Sequence, residues 1–148
     1  MRVAVVMGSE KDLPKMQPCS DVLREFGIEH DVHVMSAHRT PDRVAAFASG
    51  ARESGYAVVI CGAGKAAHLA GAVAANTTLP VIGIPIAAGG LGGVDALYST
   101  VQMPTGIPVA TVAVDGAANA AYLAASILSV FDDQIAGRLA DYREDLRR

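Results

Sequence analysis

Several residue types that would indicate other classes of protein are scarce in this sequence. It has no tryptophan and only 5% aromatic residues, and charged residues make up only 18% of the chain. Cys19 and Cys61 are too few for a disulfide framework or a four-ligand zinc site, so we expect buried thiols in a reducing cytosol. The net charge of −3 lacks the basic excess that nucleic-acid binding requires, so no nucleic-acid partner is expected.

No segment of the sequence predicts secretion or membrane insertion. The apolar stretch at the N-terminus reaches Glu10 and Lys11 before the hydrophobic region of a signal peptide would be complete. Residues 66–94 contain no Asp, Glu, Lys or Arg, but their prolines and glycines would interrupt a membrane-spanning helix. We therefore expect a soluble, cytoplasmic protein without a membrane partner.

Small apolar residues are abundant instead. Hydrophobic residues make up 51% of the 148 residues and the mean hydropathy is +0.33, which excludes intrinsic disorder. This length suffices for one compact domain, 1–148, and is too short for two. A single chain of this size is not expected to bury all of its apolar surface. We expect the rest to be buried between subunits, and we therefore predict a homo-oligomer.

Short apolar runs alternate with helical patterns along the chain. Strands this apolar are typical of a parallel sheet covered by helices on both faces. The pattern predicts a three-layer α/β/α fold with a flavodoxin-like strand order. The predicted strands are Val3–Met7, a segment around Val32 and Val34, Ala57–Cys61, Val81–Ile84 and Val109–Val114. The predicted helices are Asp12–Gly27, Thr40–Gly55, an alanine-rich segment that follows Lys65 and ends near Ala75, Asp95–Gln102 and Asn119–Val130.

Residues 132–148 form a C-terminal helical extension. Ile135, Leu139, Tyr142 and Leu146 recur between charged residues, which predicts an amphipathic helix with one apolar seam. Because the sheet is complete before this helix begins, we expect the helix to pack partly on a neighbouring subunit.

Three loops of the predicted sheet would line one ligand pocket. Parallel sheets bind ligands at the carboxyl ends of their strands, where the strand order reverses. The loops that follow the first three strands are Gly8–Asp12, Ser36–Pro41 and Gly62–His68. In the flavodoxin-like order these three strands are neighbours, so their loops meet.

The first two loops predict a site for a phosphorylated ligand. Gly8 allows close approach of the backbone, and the amides that begin the first helix form an anion site. Ser9, Ser36 and Arg39 add donors that suit phosphate oxygens. Asp12 is either a helix N-cap or a partner of a ribose hydroxyl, and the two roles are compatible.

Two of the four histidines lie in these loops. His38 lies next to Arg39, and histidine is the residue type that most readily gives and takes a proton within one turnover. His68 either contacts the ligand or is a buried histidine that fixes its helix onto the loop. His30 and His33 are expected at the surface or edge, far from the site. No metal-ligand spacing or nucleophile triad joins these residues, so no metal site is predicted.

Together, these segments resemble the PurE family, the 5-(carboxyamino)imidazole ribonucleotide mutases of de novo purine (IMP) biosynthesis. The resemblance covers nearly the whole chain, and its most specific parts are SAHRTPD and VQMP followed by GIPVATVA. The matching stretches are Val5–Asp12, Ser36–Arg43, Ala63–Gly71, Leu79–Pro85, Gly92–Pro104 and Gly106–Val114.

The resemblance implies a homo-octamer of flavodoxin-like subunits without metal or organic cofactor. It implies an isomerase that moves a carboxylate from the exocyclic nitrogen of an imidazole ribonucleotide to the ring carbon, giving 4-carboxy-5-aminoimidazole ribonucleotide. In the family's scheme the substrate releases CO₂, the ring carbon attacks the trapped CO₂, and a histidine removes the ring proton. It also implies functional coupling to an ATP-dependent synthase that supplies the carbamate.

Carried onto this sequence, the resemblance assigns the catalytic histidine to His38. Substrate contacts map to Ser9, Asp12 and Arg39, with Ser36 near the phosphate. Gly64, His68 and Leu69 belong to the loop that closes over the base and the trapped CO₂. Gly8, Lys11, Ala37 and Lys65 are further possible contacts in the same loops.

Three positions depart from the usual family pattern. Lys11 replaces a serine, Lys65 replaces a glycine and Ala70 replaces a proline. Lys11 loses a hydroxyl at the phosphate but adds an ammonium, so we expect binding to survive. Lys65 either faces solvent or a neighbouring subunit, or reaches the migrating carboxylate and stabilises its charge.

Two alternative functions remain at this point. Direct carboxylases, lyases that combine CO₂ with aminoimidazole ribonucleotide, commonly carry a basic residue near Lys65. They usually have lysine in place of Arg39 and lack the equivalent of His68, so these two residues favour the mutase. A non-catalytic nucleotide- or flavin-binding relative is the other alternative, although a flavin usually requires aromatic stacking that this sequence offers little of.

Overall fold

The computed structural model describes the whole chain, Met1–Arg148, as a five-stranded sheet between two layers of helices. The helices α1, α5 and α6 cover one face of the sheet, and α2, α3 and α4 cover the other. The strands are β1 Arg2–Met7, β2 His30–Val34, β3 Tyr56–Gly64, β4 Val81–Ile86 and β5 Ala110–Thr111. The helices are α1 Leu13–Glu25, α2 Pro41–Gly50, α3 Leu69–Ala74, α4 Val94–Val101, α5 Ala117–Leu128 and α6 Asp133–Asp145.

All five strands are parallel, in the order β2-β1-β3-β4-β5. This arrangement confirms the predicted three-layer, flavodoxin-like fold. The chain passes from β1 to β2 on one side and then returns to β3 on the other side of β1. The strand order therefore reverses at β1, and the loops after β1, β2 and β3 lie next to one another at the carboxyl edge.

Alternating side chains of the central strands fill two separate hydrophobic cores. In β1, Val3, Val5 and Met7 pack with α1 and α5, whereas Ala4 and Val6 pack with α2 and α3. All five of these residues are buried. Burial on both faces explains why the strand is apolar throughout and does not alternate with polar residues.

The alanine-rich helix α5 packs inside its own chain. Ala117, Ala120, Ala121, Ala124 and Ala125 are all buried in the core shared with α1 and the sheet. Small side chains let the helix approach its neighbours closely. These alanines are therefore buried within one chain, without a second subunit.

Most of the apolar seam of α6 also packs on its own chain. Ile135 is buried, and the Tyr142 ring stacks on Tyr122 with centroids 4.6 Å apart. The guanidinium of Arg138 donates a hydrogen bond to the carbonyl of Phe26 at the end of α1. Leu146 remains 68% exposed. Contact of this helix with a neighbouring subunit stays a prediction.

Some element boundaries differ from those predicted. Strand β5 covers only Ala110–Thr111 of the predicted Val109–Val114, because the chain leaves the ladder after Val112 and turns at Asp115, whose φ is 56°. Helix α3 begins at Leu69 and not directly after Lys65, because Lys65 adopts a left-handed conformation with φ 57° from which the chain does not enter a helix at once.

The uncharged segment 66–94 contains α3, β4 and a glycine-containing loop, as predicted. None of the helices combines the length and apolarity needed to cross a membrane.

Glycine at position 83 is required by the packing between β4 and its covering helices. A Cβ atom there would clash with Thr100 of α4 and lie 2.9 Å from Cγ1 of Val109. We expect Gly83→Ala to lower the free energy of unfolding by about 1–3 kcal/mol, a typical cost of overpacking. Thermal or denaturant unfolding measures the change.

The matched control is Gly50→Ala at the end of α2, where an added Cβ meets nothing within 4 Å. This variant is expected to be neutral or more stable by about 0.5–1 kcal/mol, because alanine favours the helix over glycine. Equal stability of the two variants would contradict the packing described for Gly83.

Candidate active site

A cavity of about 580 Å³ opens at the carboxyl edge where the strand order reverses. Its walls are the loops after β1 and β2 and the segment from the end of β3 to the start of α3, with one residue, Ala88, from the loop after β4. Every residue that the sequence pointed to lines this cavity: Gly8, Ser9, Lys11, Asp12, Ser36, Ala37, His38, Arg39, Gly64, Lys65, His68 and Leu69. The fold therefore brings the predicted side chains together in one place.

The loop after β1 presents a hydroxyl and a carboxylate to the cavity. Ser9 Oγ accepts a hydrogen bond from the Lys11 amide at 3.3 Å, within a short 3₁₀ turn at Glu10–Asp12. Asp12 stands at the N-cap position of α1, as predicted, but its side chain makes no capping hydrogen bond. Its carboxylate is therefore free to bind a ligand.

The pKa of Asp12 is raised above its ordinary value of 3.8. Burial is the largest cause, and it outweighs the lowering effects of the Ser9 backbone and of the Lys15 charge. The charged carboxylate is thus held in surroundings that solvate it poorly. A hydroxyl donor from a ligand would relieve that deficit.

Arg39 connects the loop after β2 to the loop after β1. Its amide donates to Ser36 Oγ at 3.2 Å, and its Nη2 donates to the carbonyl of Gly8 at 3.2 Å. Thr40 Oγ1 donates to the Ser36 carbonyl and accepts from the Ser36 amide, both at 3.0 Å. No carboxylate pairs with the guanidinium, so most of its donors remain available for an anionic ligand.

His38 and His68 are hydrogen-bonded to each other across the cavity. His38 Nε2 lies 2.7 Å from His68 Nδ1, and the two rings are almost perpendicular at 87°. Both side chains are exposed. The alternative that His68 is a buried histidine is therefore wrong. The pairing itself escaped the sequence analysis, because nothing in the sequence measures the distance between residues thirty positions apart.

Gly64, the last residue of β3, lets this strand approach the loop after β4 closely. A Cβ atom at Gly64 would lie 2.7 Å from the Cβ of Ala88 and 3.1 Å from the carbonyl oxygen of Ile86. Lys65 follows in the left-handed conformation that normally favours glycine. Its side chain is exposed, and its ammonium makes no hydrogen bond or ion pair within the chain.

An ion pair between Lys15 and Asp115, which was not predicted from the sequence, holds the loop after β4 that contributes Ala88 to the cavity wall. Lys15 Nζ donates to the Ala87 carbonyl and to Asp115 Oδ2, both at 2.7 Å, and Asp115 Oδ1 accepts from the Ala87 amide at 2.9 Å. Burial acts to raise the pKa of Asp115, but the hydrogen bonds from Lys15 and Ala87 prevail and lower it. The pair fixes the loop that carries Ala88. Its only sequence signal was an acid directly after the last predicted strand.

The cavity carries an excess of positive charge in a protein whose net charge is −3. Lys11, Arg39 and Lys65 line it together with a single carboxylate, that of Asp12. Apart from two serines and two histidines, the remaining wall consists of glycine, leucine and four alanines, among them Ala63 and Ala66. Such a lining suits a ligand with anionic groups and a flat, less polar part.

The other reactive residue types lie outside the cavity. His30 begins β2 and bonds to the Ile28 carbonyl, at the end of the strand opposite the cavity. His33 comes just before the last residue of β2, but its Nε2 is 3.0 Å from the Tyr56 hydroxyl and it does not line the cavity. Cys19 and Cys61 are buried free thiols, as predicted, and burial raises the pKa of Cys19 to about 12. No three His, Cys, Asp or Glu side chains cluster in a way that would hold a metal ion.

Several known proteins have sequences similar to this one over almost its whole length. The sequence matches the AIR carboxylase family over residues 2–148. It is 51% identical to the N5-carboxyaminoimidazole ribonucleotide mutase of Thermotoga maritima, over 99% of this chain and 86% of that protein. It is also 51% identical to the chloroplastic phosphoribosylaminoimidazole carboxylase of Vigna aconitifolia, over 95% of this chain but only 25% of that longer protein.

A solved structure has the same fold. The crystal structure of Treponema denticola PurE superimposes with a TM-score of 0.87 and 31% sequence identity, covering 98% of this chain and 90% of that one. The similarity in sequence and in structure thus extends over almost the whole molecule. The chain belongs to the AIR carboxylase family.

Proposed function

We propose that this protein is an N5-carboxyaminoimidazole ribonucleotide mutase. As an isomerase of de novo purine biosynthesis, it would move the carboxylate of its substrate from the exocyclic nitrogen to the ring carbon, giving 4-carboxy-5-aminoimidazole ribonucleotide. The observation that carries the proposal is the position of His38 in the same cavity as an unpaired arginine and two serine hydroxyls. A proton carrier beside an anion site is what this reaction needs.

The phosphate and the ribose would occupy the side of the cavity formed by the first two loops. Ser9, Ser36 and Arg39 supply hydroxyl and guanidinium donors for the phosphate, and Gly8 leaves room for the backbone to approach it. The Lys11 ammonium adds a further positive charge at this side. Asp12, free of any capping bond, would accept from a ribose hydroxyl.

The imidazole would lie between His38 and the loop that contains Gly64, His68 and Leu69. Release of CO₂ from the exocyclic nitrogen is productive only if the gas stays beside the ring carbon until the new bond forms. The small apolar residues Ala63 and Ala66 can provide a dry wall that holds it there. His38 gives a proton to the exocyclic nitrogen as the bond to CO₂ breaks. After the ring carbon has bonded to CO₂, His38 takes back the proton that leaves that carbon, and the ring regains its aromatic electrons.

Lys65 supports a second candidate function, direct carboxylation of aminoimidazole ribonucleotide by CO₂. An unpaired ammonium at the cavity would attract a free or migrating carboxylate, as a carboxylase requires. Arg39 and His68 both favour the mutase, because the carboxylases usually lack them. The mutase is therefore the better-supported function.

We further propose a cytoplasmic homo-octamer, coupled in its pathway to an ATP-dependent synthase that makes the carbamate. The number of subunits rests on the resemblance to PurE. The existence of subunit contacts is supported by the apolar side chains that a single chain leaves exposed around α4, such as Leu91 at 67% and Tyr98 at 63%.

The decisive assay supplies the two substrates separately. We expect the carbamate ribonucleotide to be converted without ATP at a much lower concentration than aminoimidazole ribonucleotide with bicarbonate. Absorbance of the carboxylated product follows both reactions. If only aminoimidazole ribonucleotide with bicarbonate is used efficiently, the protein is a carboxylase and not a mutase. If neither substrate is converted, the result favours a non-catalytic relative.

A histidine variant tests the residue that carries the proposal. His38→Asn is expected to bind the ribonucleotide normally but to lower kcat by about 10²–10⁴-fold, the usual contribution of a general acid or base. His30→Asn is the matched control, because His30 lies at the opposite end of β2, and it should keep normal turnover. Near-normal turnover of the His38 variant would remove this residue from the chemistry.

Asp12→Asn is expected to stabilise the free protein while weakening substrate binding. Because the folded pKa of Asp12 is raised, its ionised form disfavours the folded state at neutral pH, and the amide removes that effect. The gain in melting temperature should be largest at a pH well above the folded pKa, should shrink as the pH falls through that pKa, and should vanish only below 3.8.

Calorimetric titration of the same variant should show affinity for the ribonucleotide reduced about 10–100-fold, since a hydrogen bond to a charged group is lost. An unchanged melting temperature would mean that the fold does not disfavour the Asp12 carboxylate. Unchanged affinity would exclude Asp12 as the ribose partner.

Lys65→Gly is expected to raise the stability of the free protein by about 1–2 kcal/mol, because glycine adopts the left-handed conformation without strain. Turnover should change little if the ammonium faces solvent or a neighbouring subunit. Lys65→Ala is the control, since it removes the charge but keeps the Cβ atom and hence the strain. A large loss of kcat in both variants would instead assign the ammonium to the migrating carboxylate.

A further inference from the structure

We infer that Lys15 and Asp115 are positioning residues, whose ion pair fixes Ala88 in the cavity wall and thereby keeps the released CO₂ beside the imidazole. The inference rests on the proposed mutase function and extends it to two residues outside the cavity. Neither Lys15 nor Asp115 lines the cavity, so both act through the loop after β4.

The carboxylate of Asp115 continues the parallel ladder beyond the end of β5. The Asp115 amide donates to the Pro85 carbonyl at 2.8 Å, and Asp115 Oδ1 accepts from the Ala87 amide at 2.9 Å. In a parallel ladder, a residue bonds in this way to two residues of the next strand, with its main-chain carbonyl as the acceptor. The chain turns at Asp115, whose own carbonyl accepts from the Ala117 amide instead. The side chain therefore replaces a main-chain acceptor.

Lys15 completes a closed ring of hydrogen bonds around Ala87. Its Nζ donates to the Ala87 carbonyl and to Asp115 Oδ2, both at 2.7 Å. Both polar groups of the Ala87 main chain are thus bound, the amide by Asp115 and the carbonyl by Lys15. The pair therefore fixes the peptide groups on either side of Ala87, and with them the direction in which the chain continues to Ala88.

The residues that follow Ala87 have no comparable anchor. Ala88, Gly89 and Gly90 make no hydrogen bond within the chain, and Gly89 has a φ of 98°. Glycine has more backbone freedom than other residues, so such a segment does not hold its own shape. The bonds at Ala87 are the last fixed point before Ala88.

The position of Ala88 decides whether this side of the cavity is closed. A Cβ atom at Gly64 would lie only 2.7 Å from the Cβ of Ala88, so the two segments touch there. Ala88 is the one residue that the loop after β4 contributes to the lining, and Ala63 and Ala66 line the cavity on the side of Gly64. Outward movement of Ala88 would open a gap beside the position proposed for the imidazole.

Loss of CO₂ through such a gap has a defined chemical result. The bond between the exocyclic nitrogen and the carboxyl carbon breaks, its electron pair stays on the nitrogen, and the nitrogen takes a proton. If CO₂ is retained, the ring carbon bonds to it and the carboxylated product forms. If CO₂ escapes to solvent, aminoimidazole ribonucleotide is released instead. The ratio of these two products measures how well the cavity is closed.

The pair is charged at neutral pH but lies at the surface. Burial acts to raise the pKa of Asp115, but the hydrogen bonds from Lys15 and Ala87 prevail and lower it. The side chains of Lys15 and Asp115 are 40% and 38% exposed, and ion pairs this exposed add little to the stability of a fold. Removal of the pair should therefore affect the loop far more than the whole protein.

Lys15→Met and Asp115→Asn test the inference in an assay that measures both products formed from the carbamate ribonucleotide. Methionine has no donor for Ala87, and asparagine tolerates the left-handed turn but lacks the charge. We expect kcat for the carboxylated product to fall about 10-fold and the share of aminoimidazole ribonucleotide to rise, because small displacements at a reacting centre cost up to about 10²-fold. KM should stay within a few-fold of normal, and the decay of the carbamate without protein is subtracted.

Two further variants serve as controls. Arg24→Met removes an exposed ion pair with Asp21 on the same helix, α1, and should leave the product ratio unchanged. Lys15→Arg, whose guanidinium can donate to both acceptors, should restore most of the normal ratio. Lys15 also lowers the pKa of Asp12, but Asp115→Asn leaves that charge in place, so agreement of the two test variants excludes an effect through Asp12.

A normal product ratio in both test variants would overturn the inference, even if their melting temperatures fall, because the pair would then serve only the fold. A ratio that changes in Lys15→Met alone, or equally in Arg24→Met, would also overturn it.

Hydrogen exchange tests the loop without substrate. We expect the Ala87 amide to exchange about 10-fold faster in both test variants, because local opening becomes easier, whereas the Ile84 amide within β4 should not change. Unchanged exchange at Ala87 would overturn the inference whatever the activity. If exchange rises as expected but the wild-type protein converts neither substrate, the proposed function fails and the support of the loop by the pair remains.

Discussion

The reversal of strand order at β1 is the constraint from which the site follows. Because β2 and β3 lie on opposite sides of β1, the loops after these three strands must meet at one edge of the sheet. No single loop contains the full set of polar groups. The hydrogen bond from Arg39 to the Gly8 carbonyl and the pairing of His38 with His68 exist only because the topology brings distant segments together.

Close approach of backbone segments completes the cavity. Glycine at position 64 allows the third loop to touch Ala88, and the ion pair between Lys15 and Asp115 holds the loop of Ala88 in place. The cations of the cavity, Lys11, Arg39 and Lys65, form no ion pair with a carboxylate of the chain. The fold thus keeps positive charge unneutralised in a protein that is acidic overall, and an anionic ligand is what would neutralise it.

Features that depend on the local sequence pattern could be predicted. Contacts between residues that are far apart in the sequence could not. The five strands follow from apolar runs such as Val3–Met7, and the choice of loops follows from the geometry of parallel sheets. The position of Asp12 at the helix start was predictable, but its lack of a capping bond was not, since that depends on where its side chain points. Likewise the exposure of His68 and the partners of Lys15 depend on contacts between segments far apart in the chain.

The three departures from the family pattern differ in what they require of the fold. Ala70 replaces a proline in the first turn of α3, where backbone amides have no helical acceptor, so either residue fits. Lys11 is exposed and its backbone needs no special conformation. Lys65, in contrast, holds a left-handed conformation that glycine would adopt freely. Because its backbone gains nothing from lysine, any benefit of this replacement must come from its ammonium, which is unpaired and lines the cavity.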